Sequence, residues 1–286
     1  MSHDCFHPES PLIPVFFGHG FPFTSEMWKD VVARLLNDDY ILNHYALIFP
    51  NFIGFGDIVK DAEDLSDVPA GSVTTMTDMA DQIIRIADAL FSPKFVYCGL
   101  SMGGYVGWEI WNRCPDRLLG LIVSDTNAKA DSPEAAAKRL QTADRVEKED
   151  SCAFLADAML NNLFAPESLN TCHDALETYR KMVSGNNPKG VAAAARGMAQ
   201  RKDYTARLGE IQTPTLVIGG KDDVLSTPES LDALAAAMPN AVRATVPGGH
   251  LAPMEHPDEY AAAIADFLKT IQRDMVIPTN PYLRSR

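Results

Sequence analysis

The sequence predicts an α/β protein: a doubly wound, mostly parallel sheet carrying one helical insertion. Three observations lead there. Short, β-rich apolar runs recur along the chain and end at glycine, proline or small polar residues. Amphipathic helical patterns separate most of these runs. One long stretch, between Thr126 and Thr213, has Ala-, Met- and Leu-rich helical patterns and no convincing strand.

The runs fall at residues 15–17, 45–49, 95–98, 118–123, 215–218 and 242–246. Their near-continuous Val, Ile, Leu and Phe content requires burial on both faces, which a parallel sheet between helical layers provides. Met76, Met79, Ile83, Ala87 and Leu90 follow helical spacing, with Thr75 and Asp78 in capping-box positions. Residues 105–114 form an apolar helix that stops before Pro115. A last helix over 257–271 puts Tyr260, Ile264, Phe267 and Leu268 on one side. Residues 1–126 and 206–286 are thus expected to form the α/β core, and 127–205 a helical cap insertion over the carboxyl ends of the strands. Ligands bind open α/β sheets at those ends. The tail, 273–286, has two prolines and no periodicity, and is expected to trail over the surface.

The chain has 286 residues, of which 25 are basic and 38 acidic, giving a net charge of −13. That balance argues against nucleic acid, whose phosphates are bound by clustered Lys and Arg, and against an anionic membrane surface. No apolar run approaches the roughly 20 residues of a membrane span. The first 14 residues lack the basic-then-apolar layout of a secretory signal. Five scattered cysteines without a C-x-x-C pair suggest free thiols in a reducing compartment, so a cytoplasmic protein is expected. His3, Cys5 and His7 lie close in sequence, but with no second ligand group they are not expected to hold a metal. No dinucleotide or phosphate-loop motif is present, so no cofactor is expected either.

Residues 99–103 read Gly-Leu-Ser-Met-Gly, a G-x-S-x-G between a predicted strand and a predicted helix. Alone, the pattern would arise in roughly one chain in ten of this size. Strand before, helix after and Gly104 following make chance a much poorer explanation, because a tight strand-to-helix turn lifts a serine above the sheet. A serine hydroxyl needs a base in reach and a third group to orient that base. Among seven histidines, His250 stands out: it follows the last strand in Pro-Gly-Gly-His-Leu. His256 suits a helix start, His44 begins a strand, His173 lies in the insertion, and His19 is a candidate buried orienting group. Asp223, after the strand at 215–218, is the preferred acid. Asp125 is its rival, with capping of the turn into the insertion as its structural alternative. Adjacent Asp222 is read as a solvated turn residue. Both preferred and rival acids keep the order serine, acid, histidine.

With these residues in place, the chain resembles the α/β-hydrolase superfamily, and within it the 3-oxoadipate enol-lactonases, cofactor-free haloperoxidases and small carboxylesterases. The resemblance rests on His19-Gly20-Phe21-Pro22 with Trp28, Asn51-Phe52-Ile53-Gly54-Phe55-Gly56, Gly99 to Gly104, Pro214 to Asp223, Pro247 to His250, and Glu255-His256-Pro257. It implies Ser101 as nucleophile, His250 as base and Asp223 as orienting acid, with the backbone N–H groups of Phe21 and Met102 forming an oxyanion hole. The implied activity is carboxylic ester hydrolysis, as an esterase or lactonase acting on a small or medium ester, without metal or organic cofactor. Perhydrolysis and carbon–carbon cleavage use the same triad, and a ligand-sensing receptor on this fold is the alternative from another class. Two departures stand out. Only about a dozen residues precede the first strand, so the family's N-terminal hairpin is expected to be absent or reduced, leaving homo-oligomer formation open. The Asn51 segment usually opens with Asp. In the insertion, Met159, Leu160, Leu163, Phe164, Met182 and Met198 would supply an apolar lining or plain helix packing. Arg139, Arg145 and Arg196 are expected on solvated surface unless the substrate carries a carboxylate.

Overall fold

A computed structural model describes residues 12–56 and 69–271. Among the described residues six strands form one sheet: β1 (Ile13–Gly18), β2 (Tyr45–Ile48), β3 (Phe95–Leu100), β4 (Leu118–Ser124), β5 (Thr215–Gly220) and β6 (Ala241–Val246). Their order is β2-β1-β3-β4-β5-β6, and every neighbouring pair is parallel. The four inner strands are buried along their whole length. The two edges are not; Val242 on β6 is 55% exposed. Double-sided burial is therefore confined to strands with neighbours on both sides.

Parallel pairing puts every carboxyl end on one edge of the sheet. The registers keep these ends level: Gly18 pairs with Gly99, Leu100 with Ser124, Ser124 with Ile218, and Gly220 with Val246. Strand order reverses between β1 and β3, so the loops after these two strands leave from the switch point, where doubly wound folds open a crevice.

Helices α1 (Lys29–Leu35), α2 (Asp39–His44), α3 (Met76–Ala89) and α4 (Met102–Arg113) precede β4. The capping box of α3 is complete: Asp78 N donates to Thr75 Oγ1 at 3.1 Å, and Thr75 N donates to Asp78 Oδ2 at 2.8 Å. His44 does not begin a strand as expected. It ends α2, whose start is capped by Asp38, and the helix runs directly into β2. Between β4 and β5 lie α5 (Pro133–Glu149), α6 (Ala153–Leu163), α7 (Ser168–Thr171), α8 (His173–Ser184) and α9 (Pro188–Met198). After β5 come α10 (Pro228–Ala236), α11 (Ala252–Glu255) and α12 (Pro257–Thr270).

Helix α5 packs on α9, and α6 on α8. Helix α9 then lies hard against the loops of the preceding half. A side chain at Gly190 would collide with the Gly54 carbonyl, and one at Gly197 with that of Thr74. Thr74 N donates to Ala193 O at 3.1 Å. Leu163, Phe164, Met182 and Met198 are buried in this packing, while Met159 and Leu160 are partly buried. Of the three arginines expected on solvated surface, Arg145 is exposed and pairs with Glu149, whereas Arg139 is partly covered beside Asp131 and Arg196 beside Glu147 and Asp144. Only the Arg145 side chain is more than half exposed, and that of Arg196 is 12% exposed. Their carboxylate partners come from the insertion itself; Arg145–Glu149 is an i,i+4 pair within α5, whereas the partners of Arg139 and Arg196 lie outside helical spacing. His3, Cys5 and His7, the residues before Leu12, and the tail 273–286 lie outside the described residues. Among the described residues, no helix is long and apolar enough to cross a membrane.

Candidate active site

Ser101 occupies the turn between β3 and α4 with φ 54° and ψ −109°. Positive φ is disfavoured for a residue with a Cβ, so the surroundings must hold it there. They do so through its backbone. Ser101 N donates to Ser124 O at 2.8 Å, and Ser101 O accepts from Thr126 Oγ1 at 2.8 Å and Gly104 N at 2.9 Å. The motif glycines permit the close approach. A Cβ at Gly99 would strike the Gly103 carbonyl, and one at Gly103 would strike that of Gly18 on β1. The turn is pressed against itself and the neighbouring strand, which leaves the serine side chain part-exposed. Met102 is the first residue of α4, and the first N–H groups of a helix have no acceptor within it. Phe21 stands in the loop after β1, joined to Pro22 by a cis peptide bond.

Across the same edge, His250 lies in the loop after β6 and Asp223 in the loop after β5. Both are buried, and His250 Nδ1 lies 2.8 Å from Asp223 Oδ2. The other carboxylate oxygen, Oδ1, accepts from Leu225 N at 2.7 Å. The two loops are stitched together by backbone: Lys221 N donates to Val246 O at 2.9 Å, and Asp222 N to Gly248 O at 3.0 Å. Burial works against an ionised Asp223, but the His250 hydrogen bond and charge, with backbone N–H groups, outweigh it and hold the carboxyl below its ordinary range. An ionised acid on Nδ1 fixes the imidazole with Nε2 as the nitrogen left for chemistry. Among the described residues, the Ser101 hydroxyl makes no hydrogen bond to His250.

Asp125 does not cap the turn into the insertion. Wholly buried, it accepts from Gly220 N at 2.9 Å through Oδ1, and from Ser124 Oγ at 2.6 Å through Oδ2. It therefore ties the end of β4 to the end of β5. Burial, then the charge on Asp223, drives its carboxyl well above the ordinary range. Ligating atoms of Asp125, Asp223 and His250 lie within 4.8 Å of one another. A cation there would have to take atoms already joined in the Asp223–His250 hydrogen bond. Asp222 is exposed and 3.9 Å from Lys221 Nζ. His19, read from its loop position as a candidate buried orienting group, is wholly buried. Phe52 N donates to its Nε2 at 3.0 Å, so its Nδ1 carries the proton and donates to Gly20 O at 2.9 Å. Burial lowers its pKa to about 4, so the ring is neutral. His173 begins α8, and His256 precedes α12.

Asn186, which touches the site's loops, escaped the sequence. Asn186, buried between α8 and α9, donates through Nδ2 to Pro22 O at 3.1 Å and accepts at Oδ1 from Gly56 N at 3.0 Å. A single asparagine between helical patterns carries no signal of that contact.

A family model described as the alpha/beta hydrolase family matches residues 15–263. The chain is 37% identical to a thermophilic esterase from Thermogutta terrifontis, solved with malate bound; the TM-score is 0.83, with 91% of this chain and 90% of that one covered. It is 22% identical over 255 residues to 3-oxoadipate enol-lactonase 2 of Acinetobacter baylyi, covering 89% of this chain and 88% of that enzyme. The enol-lactonase from Burkholderia xenovorans shares the fold, with a TM-score of 0.78, 24% identity, and 91% and 92% of the two chains covered. The tight strand-to-helix turn at Ser101, the parallel sheet beneath it and a match spanning most of the sequence agree: the chain belongs to the alpha/beta hydrolase family.

Proposed function

We propose that this protein is a serine hydrolase of small or medium carboxylic esters or lactones, with Ser101 as nucleophile, His250 as base and Asp223 as orienting acid. The observation that carries this reading is the buried His250–Asp223 hydrogen bond of 2.8 Å on the sheet edge where Ser101 is held at positive φ. The esterase and lactonase activities named for the relatives are consistent with attack on an ester carbonyl.

Ser101 Oγ attacks the carbonyl carbon while His250 Nε2 takes its proton, and Asp223 stabilises the resulting imidazolium. The N–H groups of Phe21 and Met102 receive the tetrahedral oxyanion, each contributing on the order of 3–4 kcal/mol to the barrier reduction. The imidazolium returns its proton to the leaving alkoxide as the C–O bond breaks, leaving an acyl-enzyme. Water, deprotonated by His250, attacks that ester; collapse releases the carboxylic acid and restores Ser101. Residues 127–205 serve as the cap that shapes the acyl pocket, with the α/β core formed by 1–126 and 206–286.

A panel of p-nitrophenyl esters and lactones of increasing acyl length tests the reading. Wild-type protein is expected to turn over short and medium members, and Ser101→Ala to lose turnover while keeping its circular dichroism spectrum. Full turnover by Ser101→Ala would reject it.

A further inference from the structure

Glu255 is a buried carboxylate with a specific pair of partners. It closes α11, five residues after His250, and is 7% exposed. Its Oε1 accepts from Gly249 N at 2.8 Å, and its Oε2 from Ala165 N at 2.8 Å. Gly249 is the residue before His250; Ala165 follows the end of α6 in the insertion. On the other side of the histidine, Leu251 N donates to Leu163 O at 2.9 Å. The residues on either side of His250 are thus both held through their N–H groups, and both anchors lead to residues 163–165. Contact here is tight: a Cβ at Gly249 would stand 2.8 Å from Ala165 N and 3.0 Å from Leu163 O.

We infer that Glu255 is a positioning residue for His250, fixing the backbone of the base against the insertion while Asp223 fixes its ring. The inference rests on the reading of His250 as the base. Its physical basis is that both carboxylate oxygens act as acceptors. Two backbone N–H groups converge on it, one at each oxygen, and a glutamine amide would turn a donor NH2 towards one of them. Without the carboxylate, two buried donors lose their partner and the loop is free to shift. A displacement of about 1 Å at a catalytic group can lower turnover about 100-fold.

The test compares Glu255→Gln with Glu109→Gln. Glu109 is also buried, on α4, held by Lys202 Nζ at 2.9 Å and Thr77 Oγ1 at 3.0 Å rather than by the residues around His250. Both variants lose a buried carboxylate. Glu255→Gln is expected to lower kcat about 10- to 100-fold with KM changed less than about threefold. The downfield proton resonance of the His250–Asp223 hydrogen bond should shift or broaden with it. Glu109→Gln is expected to keep wild-type kcat and an unmoved resonance at a comparable loss of thermal stability. Wild-type kcat and resonance in Glu255→Gln would overturn the inference, as would an equal loss of kcat in Glu109→Gln. If Glu255→Gln does not fold, Glu255→Asp takes its place: it keeps the charge but is too short to span both N–H groups. Lowered kcat there supports the inference, and wild-type kcat overturns it. Ser101→Ala, measured alongside, separates the two levels. If Ser101→Ala is inactive while Glu255→Gln behaves as wild type, only the inference fails. An active Ser101→Ala would reject the reading and the inference together.

Discussion

The loops after β4 and β5 each offer one buried aspartate to the same small cluster, and the structure treats the two differently. Asp125 directly follows β4 and spends its oxygens on Ser124 Oγ and Gly220 N. Asp223 stands three residues beyond β5 and gives one oxygen to His250. Both are buried, so burial alone cannot explain why one carboxyl is pushed up and the other held down. A cation-capable partner makes the difference. The acid beside the imidazole stays charged, and its charge in turn discourages ionisation of the second acid. Chain order could not choose between them, since both lie between the serine and the histidine.

The largest expected effect lies on the Asp223 side. Asp223→Asn should lower kcat for ester hydrolysis about 10³- to 10⁴-fold, because an amide neither holds the reactive tautomer nor stabilises the imidazolium. A loss below tenfold would dissolve the contrast. Stability against pH gives a second test, read from urea midpoints. His19, with its pKa lowered to about 4, is neutral in the folded chain where the unfolded chain still binds its proton. Its contribution is therefore present above pH 6.5 and is lost as pH falls towards 4, by about 3 kcal/mol in total. Asp125 has the opposite sign. Its raised folded pKa means that the native state keeps a proton the unfolded chain releases above about pH 4, so its contribution fades as pH rises. Between pH 4 and 6.5 the two slopes oppose each other. His19→Gln should leave stability falling more steeply with rising pH, and Asp125→Asn should do the reverse; the same slope in both variants would contradict the assignment. The smallest effect concerns catalysis by Asp125→Asn. An amide resembles a neutral carboxyl, so kcat at neutral pH should change less than about fivefold. A loss exceeding that of Asp223→Asn would exchange the roles of the two acids.

Much of this was legible because local chemistry and tertiary demand coincide. The four inner strands announce themselves through apolar runs, and the capping box at Thr75 and Asp78 marks the start of α3. The glycines around Ser101 were readable as a tight turn, although which carbonyls they make room for was not. What the sequence concealed depends on partners distant along the chain. His44 read as a strand start because nothing marks a helix running straight into β2. Arg196 read as solvated surface because its acid, Glu147, stands on a different helix of the insertion. Asn186 and Glu255 act through backbone groups, which leave no trace in residue type at the receiving end.

Labelling with a fluorophosphonate, followed by mass spectrometry of the digested protein, tests the central claim most directly. A single adduct on Ser101, formed as ester turnover is lost and strongly slowed in His250→Ala, is the predicted result. Continued ester turnover with Ser101 unmodified would contradict it.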